Sequence, residues 1–144
     1  MRRRGQDAKI ELLRGVPLFS SCSKRELSRI ASLTDQVEVP EGKVLMREGD
    51  PGSEFFVVVE GQARVVVRDR GRVTPLEPGA SFGELSLLDQ GPRSATVEAE
   101  TDMEVLVLDA RSFSSLLAEV PSVARKLLVA MAARLRIAET EALH

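Results

Sequence analysis

Tryptophan and tyrosine are absent from this chain of 144 residues, and histidine and cysteine occur once each, as His144 and Cys22. Each scarcity removes a class of function. Without Trp or Tyr, and with only five Phe, there is little aromatic surface for stacking unpaired bases. A single histidine at the last position leaves no histidine-rich metal site and no His-dependent triad, which sets aside the metal-dependent enzymes built on β-barrels. One cysteine forbids an internal disulfide and suits a reducing compartment; between Ser21 and Ser23, in an expected turn, it reads as a structural thiol. Neither sign of charge dominates. Twenty basic residues face 22 acidic ones, a net charge of −2, so no direct nucleic-acid binding is expected. No apolar run reaches the roughly 18–20 residues of a bilayer span, so no membrane insertion is expected. The basic start, Met1-Arg2-Arg3-Arg4-Gly5, has no apolar signal core behind it, and the expectation is a cytoplasmic protein with a solvated N-terminus.

What is present belongs to a folded globular chain: 43% of residues are hydrophobic and 29% charged. Its length suits one domain over 1–144. Residues 7–34 have helical periodicity, with Ile10, Leu12 and Leu13 before a break at Gly15-Val16-Pro17, and Leu27, Ile30, Ala31 and Leu33 after it. Ser23 followed by Glu26 reads as a capping box opening the second helix. Over 36–109 the period shortens to that of strands, punctuated by Pro40-Glu41-Gly42, Gly49-Asp50-Pro51-Gly52, Gly61, a charged hairpin tip at Arg68-Asp69-Arg70-Gly71, and Pro78-Gly79. Phe55 to Val59 is a continuous apolar run, the pattern of a buried strand. Residues 111–143 return to helix, divided by Pro121, with Leu127, Leu128, Met131, Leu135 and Ala138 at helical spacing. The expected class is mainly β with flanking helices (α+β), a jelly-roll-like β-roll between N-terminal helices and two C-terminal ones.

The chemistry concentrates in FGELSLLDQGPRSATV, from Phe82 to Val97. Gly83 admits a close backbone approach, and Glu84 to Asp89 can form one helical turn whose N–H groups point at an anion. Arg93, after the Gly91-Pro92 turn, can return to that anion through two nitrogens, with the Ser94 hydroxyl and the Ser94 and Ala95 amides beside it. Glu84, an acceptor only, is wrong for a phosphate and right for a ribose hydroxyl. The alternative for Glu84 and Arg93 is an internal ion pair that steadies the loop, and Ser94 alone would suit an ordinary hydroxyl-bonded turn.

These residues make the chain resemble the cyclic nucleotide-binding domains over nearly its whole length. FGELSL, five residues, then RSATV is similar to their phosphate-binding cassette, and LMREGDPGSEFFVVVEG, Leu45 to Gly61, to their upstream glycine-marked hairpin, with Met46 where a β-branched residue is more usual. The resemblance implies a non-catalytic sensor of cAMP, with cGMP left open by Ser94, that needs no cofactor or metal. It implies that Glu84 binds the ribose 2′-hydroxyl, while Arg93, Ser94 and the amides of Gly83, Leu85, Ser86 and Ala95 bind the cyclic phosphate. It implies a base-side wall of Val65, Val73, Thr74 and Leu76, and a final helix that folds over the base as a lid, with Arg134, Leu135 and Ala138 as its candidates. Met131 to Arg136 is similar to that helix in bacterial catabolite activators, although Ala138 and Glu139 stand where those proteins carry adenine-reading hydroxyls. The partners this admits are a second copy through the C-terminal helix or an unidentified effector. A transcription regulator would need a DNA-binding module after His144. A channel, kinase or acyltransferase would use the chain as its regulatory piece. A nucleotide-independent docking module is the remaining alternative.

Overall fold

Two kinds of periodicity in the sequence become two compact units, one of strands over Leu33–Phe113 and one of helices built from both ends of the chain. A computed structural model describes residues 2–66 and 73–143. The expected hairpin tip at Arg68-Asp69-Arg70-Gly71, and the side chains of residues 2–4 and 73, lie outside the described residues.

In the strand unit, among the described residues, eight short strands form two antiparallel sheets of four. The first runs in the order β1 (Asp35–Val39), β8 (Met103–Asp109), β3 (Glu54–Glu60), β6 (Ser81–Phe82); the second is β2 (Val44–Met46), β7 (Thr96–Ala99), β4 (Ala63–Val66), β5 (Val73–Leu76). Alternation explains the pairing. Val39, Phe56, Val58, Met103 and Val105 from one sheet and Met46, Ala63, Val97 and Ala99 from the other turn inward to one core cluster. The continuous apolar run is a strand buried on both faces: Phe55, Phe56, Val57 and Val58 are all 4% exposed or less. The jelly-roll-like class read from the sequence is the one observed, as open sheets and not as a closed barrel.

The helical unit holds α1 (Arg2–Arg14), a 3-10 turn at Pro17–Phe19, α2 (Lys24–Ser32) and α5 (Pro121–Ala142); α4 (Ala110–Glu119) runs from the strand unit into it. Helix α1 starts well before residue 7; its first turns carry no apolar periodicity for the sequence to reveal, and Gln6 is held by donating from Nε2 to the Ser28 carbonyl at 3.0 Å. The capping box forms as read, with the Ser23 amide donating to Glu26 Oε1 at 2.7 Å and the Glu26 amide to Ser23 Oγ at 3.2 Å. The sequence reading missed the cap of α4. The amide and hydroxyl of Ser112 both donate to the Asp109 carboxylate, and these bonds hold its pKa below the ordinary value.

Glu26 is buried at 7% exposure and more heavily bonded than a cap requires. Ser122 Oγ donates to its Oε2 at 2.6 Å, and Lys126 Nζ ion-pairs with its Oε1, fastening the start of α5 to the start of α2. Burial by itself would raise the Glu26 pKa; the bonds from Lys126, Ser122 and Ser23 outweigh it and lower the value from 4.5 to about 2. The neighbouring Cys22 is buried, and burial, with the Glu26 charge adding to it, pushes its thiol up to about 11. A thiol so protonated is a packing group, not a nucleophile.

Candidate functional site

Strand β6 ends at Phe82, and Gly83 turns the chain into α3 (Glu84–Asp89) with φ of +90°. That conformation favours glycine. A second reason is spatial. A Cβ on Gly83 would lie 2.7 Å from the Glu54 carbonyl oxygen and 2.9 Å from Arg93 Nη1. Gly83, read from the sequence as admitting a ligand, lines a hollow and also leaves room for the Glu54 carbonyl and the Arg93 guanidinium. Helix α3 closes through the left-handed Gln90, whose amide donates to the Ser86 carbonyl at 2.8 Å. The Ser86 hydroxyl, 3% exposed as a residue, donates to the Gly91 carbonyl at 3.2 Å and joins the start of the loop to its return.

Arg93 is seated from below by a segment forty residues upstream. Its amide donates to the Asp50 carbonyl at 2.8 Å, its carbonyl accepts from the Gly49 amide at 2.9 Å, and Pro51 bridges Pro92. Gly52 lies directly under the side chain, where a Cβ would overlap the guanidinium and come within 2.7 Å of Arg93 Cδ. Two glycines far apart in sequence therefore form the slot for one arginine. The sequence reading gave Gly52 only a turn role, and its place in the Leu45–Gly61 stretch was the one available signal.

The result is a buried cation with little local compensation. Arg93 is 7% exposed; Nη1 donates to the Glu54 carbonyl at 2.9 Å, and Cζ stands 5.9 Å from the Phe56 ring centroid, itself stacked on Phe82. Among the described residues no carboxylate is within ion-pair distance, so the internal Glu84–Arg93 pair does not form. Burial lowers the Arg93 pKa from the ordinary arginine value, and the Glu54 charge opposes that shift. No fully buried side-chain nitrogen lacks a partner among the described residues, so the remaining guanidinium nitrogens open onto accessible space. Arg93 lines a hollow of about 60 Å³ together with Met46, Gly83, Glu84, Leu85, Ser86, Pro92 and Ser94, and a second of about 330 Å³ on the side of Arg47, Asp50 and Glu54. The first has the size of an anionic group, not of a nucleotide. A larger cleft of about 1080 Å³ lies wholly in the helical unit and is lined by none of these residues.

The structure thus brings Gly83, Glu84, Leu85, Ser86, Arg93 and Ser94 to one hollow, with the buried Ala95 next to it in the chain. Val65, Thr74 and Leu76 share one face of the β4–β5 ribbon, Val65 opposite Thr74 and Ala63 opposite Leu76, and Val65 and Leu76 pack on the core cluster. Val73 pairs with Val66 in the same ribbon. Arg134, Leu135 and Ala138 are on α5, in the helical unit, with Leu135 66% exposed. Among the described residues no group of three His, Cys, Asp or Glu could hold a metal ion.

Comparison with known proteins follows the same lines. Residues 36–120 match the family model described as "Cyclic nucleotide-binding domain". A cAMP-dependent protein kinase regulatory subunit from Aspergillus fumigatus is 38% identical over 126 residues, 87% of this chain and 30% of that protein. The cyclic AMP receptor protein of Thermus thermophilus is 35% identical over 133 residues, 90% of this chain and 62% of its own length. The chain therefore spans about a third of the first relative and under two thirds of the second. The N-terminal domain of a transcriptional regulator from Streptomyces coelicolor A3(2) superposes with a TM-score of 0.81 at 34% identity, covering 90% of this chain and 93% of that domain. Matched in sequence over more than half its length and in fold over nine tenths, the chain belongs to the cyclic nucleotide-binding domain family.

Proposed function

We propose that the chain is a non-catalytic cytoplasmic sensor of cAMP. The observation that carries this is Arg93, a nearly buried guanidinium with a carbonyl for a partner and no carboxylate, opening onto a phosphate-sized hollow. A buried cation left in that state is stabilised by an anion, and the cyclic phosphate supplies one. Glu84, on the same hollow, accepts the ribose 2′-hydroxyl. The Ser94 hydroxyl and the amides around α3 complete the phosphate cradle. The relatives named above that are cAMP-dependent or cyclic AMP receptors support cAMP over cGMP as the ligand.

The base then lies on the Val65–Leu76 ribbon, and α5 moves over it with Leu135 and Ala138. Ligand drives that movement by binding the closed arrangement more tightly than the open one. The test is calorimetric titration with cAMP and cGMP. Arg93→Ala is expected to weaken cAMP about 10- to 150-fold, as loss of roughly 1.5–3 kcal/mol of charge-assisted bonding. Undiminished affinity in that variant would sink the assignment.

As an alternative to the lid role, the same face of α5 would pair with a second copy of the chain, an unidentified effector being the other partner it admits. Ala124, Leu128, Met131, Leu135 and Ala138 recur at alternating spacings of four and three, and Leu128 and Leu135 are 71% and 66% exposed. That is the seam of a two-stranded coiled coil. Sedimentation equilibrium is expected to return a dimer; a monomer at all concentrations would remove this partner.

A further inference from the structure

The cleft of about 1080 Å³ in the helical unit is walled by α1, α2 and the start of α5, and it shares no residue with the phosphate hollow. Its charge runs against that of the chain. Lys24, Arg25, Arg29 and Lys126 line it against two carboxylates, Asp7 and Glu26, in a chain whose net charge is −2. Lys126 is taken up by Glu26, and Arg29 reaches Glu119 at 3.0 Å in a pair exposed on both sides. Among the described residues Lys24 and Arg25 enter no ion pair.

Local energetics oppose this placement. Lys24 and Arg25 are the first two residues of α2, at the positive end of its dipole, where acidic side chains are the stabilising ones. Arg25 and Arg29 stand four apart on one face of the helix, a like-charge pair that repels. An anion seated in the cleft relieves both. The capping box already satisfies the amides of Ser23 and Glu26, so the recognising groups are the side chains and not the helix end.

Spacing and size tell what kind of anion fits. Arg25 and Arg29 are separated by about 6 Å along the helix axis, at a rise of about 1.5 Å per residue, and each guanidinium is its own fork for a carboxylate. A single phosphate would need these cations converged on one point, whereas a chain with acids at intervals does not. The volume exceeds the roughly 300–1,000 Å³ usual for small-molecule pockets. Ile10 and the half-buried Val120 put an apolar patch in the wall.

We propose that this cleft docks an acidic segment of a partner protein, its carboxylates on Lys24, Arg25 and Arg29 and one apolar side chain on Ile10 and Val120. Arg29 exchanges Glu119 for the incoming carboxylate with little loss, because an exposed pair is weak. Docking there does not depend on cAMP binding.

The experiment is titration of the isotope-labelled full chain with the acetylated and amidated peptide Glu-Glu-Leu-Glu-Glu at low salt, read by amide NMR shifts. Saturating shifts at Gln6, Lys24, Arg25 and Arg29 are expected, with a Kd below about 1 mM that weakens as salt is raised. The double variant Lys24→Gln, Arg25→Gln is expected to bind the peptide about tenfold more weakly, with cAMP affinity unchanged. Its melting temperature is expected to hold or rise, since the substitutions remove charges that the helix disfavours. A peptide with Gly in place of Leu is expected to bind about fivefold more weakly, and equal binding would remove the apolar seat. No shifts at the cleft, undiminished binding by the double variant, a lowered melting temperature in it, or equal binding of a peptide with Lys for every Glu would overturn the proposal. Tripolyphosphate or an oligonucleotide bound in the cleft as tightly as the peptide would make it a phosphate site and overturn the protein partner.

Discussion

Two buried charges, each on a residue 7% exposed, divide the molecule by purpose: Glu26 in the helical unit and Arg93 in the strand unit. Glu26 meets an amide, a hydroxyl and an ammonium, which together more than offset its desolvation. Arg93 meets one carbonyl and stands over the Phe56 ring. Burial without compensation is unfavourable for folding. In the proposed function the missing compensation for Arg93, in a slot cleared by two glycines, comes from a ligand. Equal burial thus goes with a saturated charge in one unit and a poorly compensated one in the other, and the partners tell them apart.

The sharpest break in that comparison is at Arg93. Arg93→Ala is expected to lose most cAMP affinity, to the extent given above, while thermal stability without ligand changes little, since a poorly compensated charge leaves the fold with it. A large loss of stability would instead place Arg93 with Glu26 as a structural group. Gly52→Ala attacks the slot without touching the charge. The added methyl overlaps the guanidinium, and displacement of that group is expected to weaken cAMP about tenfold or more by the same titration.

Glu26→Gln addresses the other side of the comparison. It is expected to destabilise the helical unit by about 2 kcal/mol in denaturant unfolding, through lost charge-assisted bonds to Lys126 and Ser122. The sign of its pH dependence follows from a pKa lowered from 4.5 to about 2 in the fold. The stabilisation is complete above the unfolded value and is lost as pH falls through the folded one, so the variant should show a shallower acid limb than the wild type. Equal acid limbs would show that the staple contributes nothing.

Much of the fold was legible because its signals are local. The capping box of Ser23 and Glu26, the breaks at Gly and Pro, and the uninterrupted run from Phe55 each depend on neighbours a few residues away. Helix α1 was read short, and the Asp109 cap of α4 was passed over, because neither carries an apolar period. At the site, the cassette residues from Gly83 to Ala95 are close in sequence and could be named together.

What surrounds them was not legible. Gly52 beneath Arg93, and the Glu54 carbonyl that holds Nη1, come from a hairpin about forty residues earlier. The Ser122 and Lys126 groups that saturate Glu26 come from about a hundred residues later. The sequence by itself determined the alternation of strands and helices, the family, and which residues carry charge in the cassette. Only the tertiary structure decided which of those charges is compensated, because compensation is set by atoms brought together through strand register and helix docking, and neither leaves a periodic trace along the chain.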